Sequence, residues 1–341
     1  MSCSTTQPQQ ERWKTTKDAA PTVERSSGSE QPETSATESS SQETSNPTEE
    51  TPEIARQYSA DPNLLVPWTQ ERQAQEPLSP PYLSFYSDNV VSLLYLAARH
   101  EVGVQKPTFQ AIRNTLPFYK PSIVVVEGYP TTQETSPKSY LDYATRCWGP
   151  GGNQQCGEPS YLAYLAHQAS IPFVGGEPTD PSLLQDIQKK GYTTKDMLGY
   201  YYVRQLAQWI SRGQFSSDVE HQYNSYLKQL LQRFQLSDFS FPFSDFQQWY
   251  QGKMGKAFEA KSIRTNDVAP LQGSSATWLH KMSYEVSLLR DTHLVNLFAT
   301  LLNQYDRVFI TYGSGHLVKQ RAVLQKMLGA PRWSRKSYQA P

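Results

Sequence analysis

The chain has 341 residues, with Lys plus Arg and Asp plus Glu balanced at 32 each, a formal charge of zero and a pI near 7.0. That balance leaves no basic field to collect phosphates, which argues against nucleic acid as a partner. No apolar run reaches transmembrane length, so a soluble chain is expected; 37 % hydrophobic residues is low for a chain folded throughout.

The apolar shortfall lies at the N-terminus. Residues 1–55 are mostly Ser, Thr, Glu, Gln and Pro, as in "SSGSEQPETSATESSSQETSNPTEETPE". So few apolar anchors cannot offset the entropy of folding, and a disordered tail is predicted there, a tether or a dispensable end. Within it "MSCSTTQPQQ" sets Cys3 before a polar stretch. This is similar to a mature bacterial lipoprotein beginning at its acylated cysteine, with a lipid anchor on Cys3 as its only membrane attachment and the cell envelope or periplasm as its location. Only Met1 and Ser2 precede Cys3, where that reading needs a signal peptide, so the start taken literally gives a cytoplasmic protein.

Residues 56–341 read as one α/β domain. The apolar run Val90 to Ala98 predicts a central strand that ends at His100, and Pro107 to Pro121 a helix and turn with Phe109, Ile112 and Leu116 on one face. "SIVVVEGYP" is a second buried strand, ending at Glu127. Cys147 and Cys156 flank "WGPGGNQQ", either as a disulfide or as two free thiols. "SYLAYLAHQAS" is a further helix, and "IPFVGGEPTD" a strand ending at Glu177. From about 181 to 258 helical periodicity continues without strands, which predicts a helical insertion over the domain. "SYEVSLLRDTHLVNLFATLLNQY" then feeds a strand, Val308 to Thr311. Gly313 and Gly315 permit a tight binding loop, His316 sits on a strand-to-helix turn, and the last helix stops at Gly329 and Pro331. Alternation of strand and helix implies a largely parallel central sheet with flanking helices.

His100, Glu127, Glu177 and His316 each follow an inferred strand. The carboxyl ends of parallel strands share one edge, so these residues converge where ligands bind in such sheets. Singly, each has a structural reading as a satisfied histidine, a helix cap or a surface charge. Together they suit hydrolysis. A histidine can serve as base toward water that a glutamate orients, or the four can ligate a divalent metal that activates the water. The dense aromatic residues of the insertion read as packing between helices.

The series "LYLAARHEVG", "PSIVVVEGYP", "YLAYLAHQASIPFVGGEP", "LLRDTHL" and "VFITYGSGHL" resembles the superfamily of TraB/GumN proteins, Tiki proteases and erythromycin esterases, with the related haem-binding ChaN proteins. The final Gly-x-x-His is intact as Gly313 to His316, whereas Ala97 stands where the first motif carries glycine. The resemblance implies an enzyme that hydrolyses a peptide, amide or ester bond of a small-molecule or peptide substrate. His100 and His316 would be bases or ligands, and Glu127 and Glu177 orienting or ligating carboxylates. Arg290 would stabilise an oxyanion or hold a substrate carboxylate; its alternative is an ion pair with Asp291 or Glu285 on its own helix. Manganese, zinc or cobalt is the implied metal. The rival implication is a non-catalytic ChaN-like envelope protein that binds haem. His167, His221, His280 and His293 match no motif and read as structural, Tyr312 reads as a hydrogen-bond donor or as core, and the oligomeric state is left open.

Overall fold

A computed structural model describes residues 57–338, so Cys3 and the tail expected over 1–55 lie outside the described residues. In chain order the elements are α1 (Gln70–Ala74), β1 (Tyr82–Ser87), β2 (Ser92–Ala98), α2 (Pro107–Tyr119), β3 (Ile123–Pro130), α3 (Lys138–Trp148), α4 (Glu158–Gln168), β4 (Phe173–Glu177), α5 (Asp180–Lys189), α6 (Thr194–Ser211), α7 (Val219–Arg233), α8 (Phe243–Met254), α9 (Trp278–Gln304), β5 (Arg307–Gly313), α10 (Ser314–Leu328) and β6 (Trp333–Arg335). The sheet has six strands in the order β4-β3-β5-β2-β1-β6. The first four are mutually parallel, while β1 runs antiparallel to β2 and β6 antiparallel to β1. The α/β fold with its mostly parallel sheet is therefore present.

The apolar runs of β2, β3 and β5 lack the alternation of a half-exposed strand because both faces of the sheet are covered. On one face Tyr95, Ala97, Val125, Ile310 and Tyr312 pack against Leu294, Val295 and Phe298 of α9 and Leu317 and Val323 of α10. On the other, Leu94, Leu96, Val124, Val126 and Phe309 meet α2, α3 and α4. A third cluster joins α5, α6, α7 and α8 to Leu279, Met282 and Val286 in the first part of α9. The 27 residues of α9, a rod of about 40 Å, thus carry the helical insertion at one end and the sheet at the other. Arg290 and Asp291 lie between the two. No helix among the described residues is long and apolar enough to cross a membrane.

Three elements differ from the sequence expectation. The run that begins at Val90 becomes strand only at Ser92, because the Asp88 carboxylate accepts the N–H groups of Val90 (2.9 Å) and Val91 (3.0 Å) and Asn89 takes φ 77 in the turn from β1. β1 itself was not expected and makes the sheet mixed; its polar positions are spent within the fold, as where Ser84 bonds Ser334 of β6 at 2.8 Å. The unexpected α3 lies in "KSYLDYATRCW", whose buried side is only Tyr140, Ala144, Cys147 and Trp148.

Candidate functional site

Register brings the expected residues together. Leu96 and Val126 both sit opposite Thr311, and Ala98 sits opposite Gly313, so β2, β3 and β5 end level at one edge. Ala97 is an ordinary strand residue with its side chain in the core, and its methyl is accommodated where the resemblance calls for glycine. There is no loop after β5. The strand ends at Gly313 and α10 starts at Ser314, which puts Gly315 and His316 in the first helical turn instead of a binding loop. Gly313 is needed for close approach: a Cβ there would lie 2.8 Å from His100 Nε2, and its N–H donates to Glu127 Oε2 at 2.7 Å.

Glu127 is the centre. His100 Nε2 stands 3.7 Å from its Oε2 and His316 Nε2 3.8 Å from its Oε1, with Arg290 Nη2 3.7 Å from Oε1. That Oε1 is buried with no hydrogen-bond partner among the described residues. Each imidazole is fixed from behind by a second acid. His100 Nδ1 meets Glu158 Oε1 at 2.5 Å, and His316 Nδ1 meets Asp291 Oδ1 at 2.7 Å. A carboxylate only accepts, so in the neutral ring Nδ1 carries the proton and Nε2 presents its lone pair toward Glu127. Asp291 also accepts from Gln320 Nε2 at 2.6 Å and from Lys319 Nζ, which in turn donates to Ser287 Oγ at 2.6 Å.

Glu177 has a different task. It receives Arg290 through Nε at 2.6 Å and Nη2 at 2.5 Å, the Tyr312 hydroxyl at 2.6 Å and the Gly128 N–H at 3.2 Å. Arg290 therefore reaches across to the sheet and does not pair on its own helix. Glu285 faces Lys190 at 2.8 Å, and Asp291 serves His316. Tyr312 is both core, being buried, and a donor. His293 bonds Thr131 Oγ1 at 2.8 Å, and His280 accepts from Thr277 N at 3.1 Å and donates to Asn266 O at 2.8 Å, both structural uses.

The charges are set by these contacts. Burial alone would lower the His100 pKa, but the charges of Glu127 and Glu158 and the Glu158 hydrogen bond outweigh it and raise it from 6.5 to about 9. Burial would raise the Glu177 carboxyl, yet the Arg290 charge and the Arg290 and Tyr312 hydrogen bonds bring it down to about 2. Against the same burial, Lys319 and His316 hold Asp291 below the usual carboxylate range. Burial first, then Glu177, push the Tyr312 phenol well above its ordinary value. The side chains of His100, Glu177, Arg290 and His316 are 11, 12, 14 and 10 % exposed, so the site is largely dry.

The donor types suit manganese, zinc or cobalt, because both Nε2 atoms face one carboxylate and both Nδ1 atoms are held by acids. Their other contacts compete with an ion. Among the described residues no three His, Cys, Asp or Glu side chains are grouped to hold one, and a guanidinium nitrogen lies 3.7 Å from the Glu127 oxygen it would take. Glu177, the fourth expected ligand, is committed to Arg290, Tyr312 and Gly128. Both imidazoles face Glu127, and the cleft of about 340 Å³ between residues 103–106 and 152–155 is lined by no His, Tyr, Cys or Met.

Sequence reasoning missed Glu158, Asp291, Lys319 and Gln320. Glu158 opens α4 in "GEPSYL", where an acid reads as a favourable helix start. Asp291 stands beside Arg290 and reads as its partner, and only the spacing of Lys319 and Gln320, three and four residues after His316, pointed to the same helix face. Comparison with protein-family models, with curated proteins and with solved structures finds no match to the chain.

Proposed function

We propose that the protein hydrolyses an ester, amide or peptide bond with water activated by His316 and no metal in the reacting set. The observation that carries this reading is Glu127, set between two imidazoles whose Nδ1 atoms are each fixed by a buried acid, with an Oε1 that has no hydrogen-bond partner among the described residues. Water bound at Glu127 Oε1 gives a proton to His316 Nε2 as its oxygen attacks the carbonyl carbon, and Asp291 steadies the imidazolium that forms. The carbonyl oxygen takes the developing negative charge beside the Arg290 guanidinium, which is held by Glu177, itself fixed by the Tyr312 hydroxyl. His100, cationic at neutral pH, donates its Nε2 proton to the leaving oxygen or nitrogen as that bond breaks.

The order of motifs along the chain supports placing it with the TraB/GumN, Tiki and erythromycin esterase-like superfamily. The bond between Cys147 and Cys156 supports an oxidising compartment such as the bacterial envelope. The test is hydrolysis of peptide and ester panels by purified protein and by Glu127→Ala, with elemental analysis of the same sample. Turnover that survives chelation and disappears in the variant is expected. Turnover restored only by added manganese, zinc or cobalt would reject the metal-free step. Absence of turnover together with a Soret band on adding haem would replace the enzyme by a binding protein.

A further inference from the structure

The carboxylate behind His100 is held unlike its counterpart behind His316. Glu158 is fully buried, its Oε1 meets His100 Nδ1 at 2.5 Å, and its Oε2 has no partner among the described residues. With its one hydrogen bond made to the ring it orients, the side chain is positioned by its backbone. That backbone is the first residue of α4, and Gly157 before it supplies no side-chain cap. Two residues upstream, Cys156 is bonded to Cys147 in the last turn of α3, Cα–Cα 5.9 Å. The eight residues between them include exposed turn formers, with Gly151 at φ 76. Gly157 also forms a β-bridge with Val102, two residues beyond His100, and Trp148 donates to Ser160 in the first turn of α4 at 2.8 Å. The covalent ring thus closes where the end of β2 and the start of α4 meet.

We propose that the Cys147–Cys156 disulfide is a redox-sensitive fastening of Glu158, whose reduction frees the first turn of α4 and releases His100 from its oriented position. The effect on turnover rests on the proposed catalytic reading of His100, whereas the effect on orientation does not. Cys147 is buried and Cys156 only partly so, and the cleft of about 340 Å³ lies along residues 152–155 beside it. A dithiol reductant therefore attacks Cys156. Its thiolate bonds to Cys156 Sγ, the S–S electron pair leaves on Cys147 Sγ, which takes a proton, and the second thiol displaces Cys156 as a thiol while the reductant closes to its own disulfide. Two electrons pass from the dithiol to the protein.

The test compares the full chain before and after dithiothreitol, with thiol titration to establish complete reduction, by amide hydrogen exchange and by the downfield imidazole Nδ1 proton resonances. On reduction, residues 157–162 are expected to lose protection and His100 its resonance, while His316, held by Asp291, keeps its own and α9 and α10 stay protected. The double variant Cys147→Ser with Cys156→Ser, without reductant, should reproduce this. With a substrate in hand, reduction should lower kcat about 10–100-fold with little change in KM, and reoxidation should restore it. An unchanged His100 resonance in fully reduced protein or in the double variant overturns the proposal. Loss of protection throughout the chain also overturns it, since the disulfide would then hold the whole fold. If neither redox state turns over any substrate, the hydrolase reading fails while the resonance still decides the fastening.

Discussion

The two halves of the site make the same contact and are supported differently. His316 and His100 both turn Nε2 to Glu127 and give Nδ1 to a buried acid. Behind His316, Asp291 sits within a 27-residue helix and is bonded by His316, Gln320 and Lys319, with Ser287 completing the set. Behind His100, Glu158 has one side-chain hydrogen bond and an oxygen without a partner among the described residues, and the chain just before it is tied by a bridge at Gly157 and a disulfide at Cys156. One imidazole is thus fixed by a side-chain network, the other by main-chain placement. On the proposed reading the base has the side-chain network behind it and the acid has main-chain placement.

The comparison can be broken from either side. His316→Ala removes the proposed base and is expected to lower kcat/KM on the order of 10²–10⁴-fold, measured beside far-UV circular dichroism to show that the fold is kept. Asp291→Ala leaves Lys319 buried without its carboxylate and should cost about 3–5 kcal/mol in urea unfolding; a loss no larger than that of an average surface substitution would mean that the network is not what holds this half. Glu158→Gln keeps the shape and removes the charge, with activity falling about 10–100-fold and stability much less affected. Gly313→Ala should have the smallest effect, about 1–3 kcal/mol from forcing a Cβ toward His100, seen as a lower melting temperature.

Stability follows pH through the same histidine. The folded-state pKa of His100 lies above its unfolded value, so its contribution is complete below about 6.5 and is lost as pH rises through about 9. Urea midpoints measured from pH 6 to 10 should therefore decline across that window, and decline less in Glu158→Gln.

Four of the strands and their parallel packing were readable because β2, β3, β4 and β5 are compact apolar runs, and parallel packing puts their ends on one edge. That placed His100, Glu127, Glu177 and His316 together before any coordinates. Their division of labour was not readable. Nothing in "VGGEP" separates a ligand from a carboxylate that clasps an arginine 113 positions away, and nothing in "LLRDTH" tells which neighbour the aspartate serves. Long-range pairing of side chains depends on distances that periodicity does not carry, and β1 and α3 escaped notice because short or weakly apolar elements are fixed by tertiary contacts.

The most direct measurement is the pH dependence of kcat/KM for chelator-treated wild-type protein and Glu158→Gln on one substrate from the panel. If His100 is the acid that Glu158 charges, the wild-type rate falls as pH rises through about 9, and the variant falls at a lower pH. An alkaline limb unmoved by Glu158→Gln, or activity that vanishes on chelation and returns with added metal, would contradict a pair of acid-held histidines acting on water bound at Glu127.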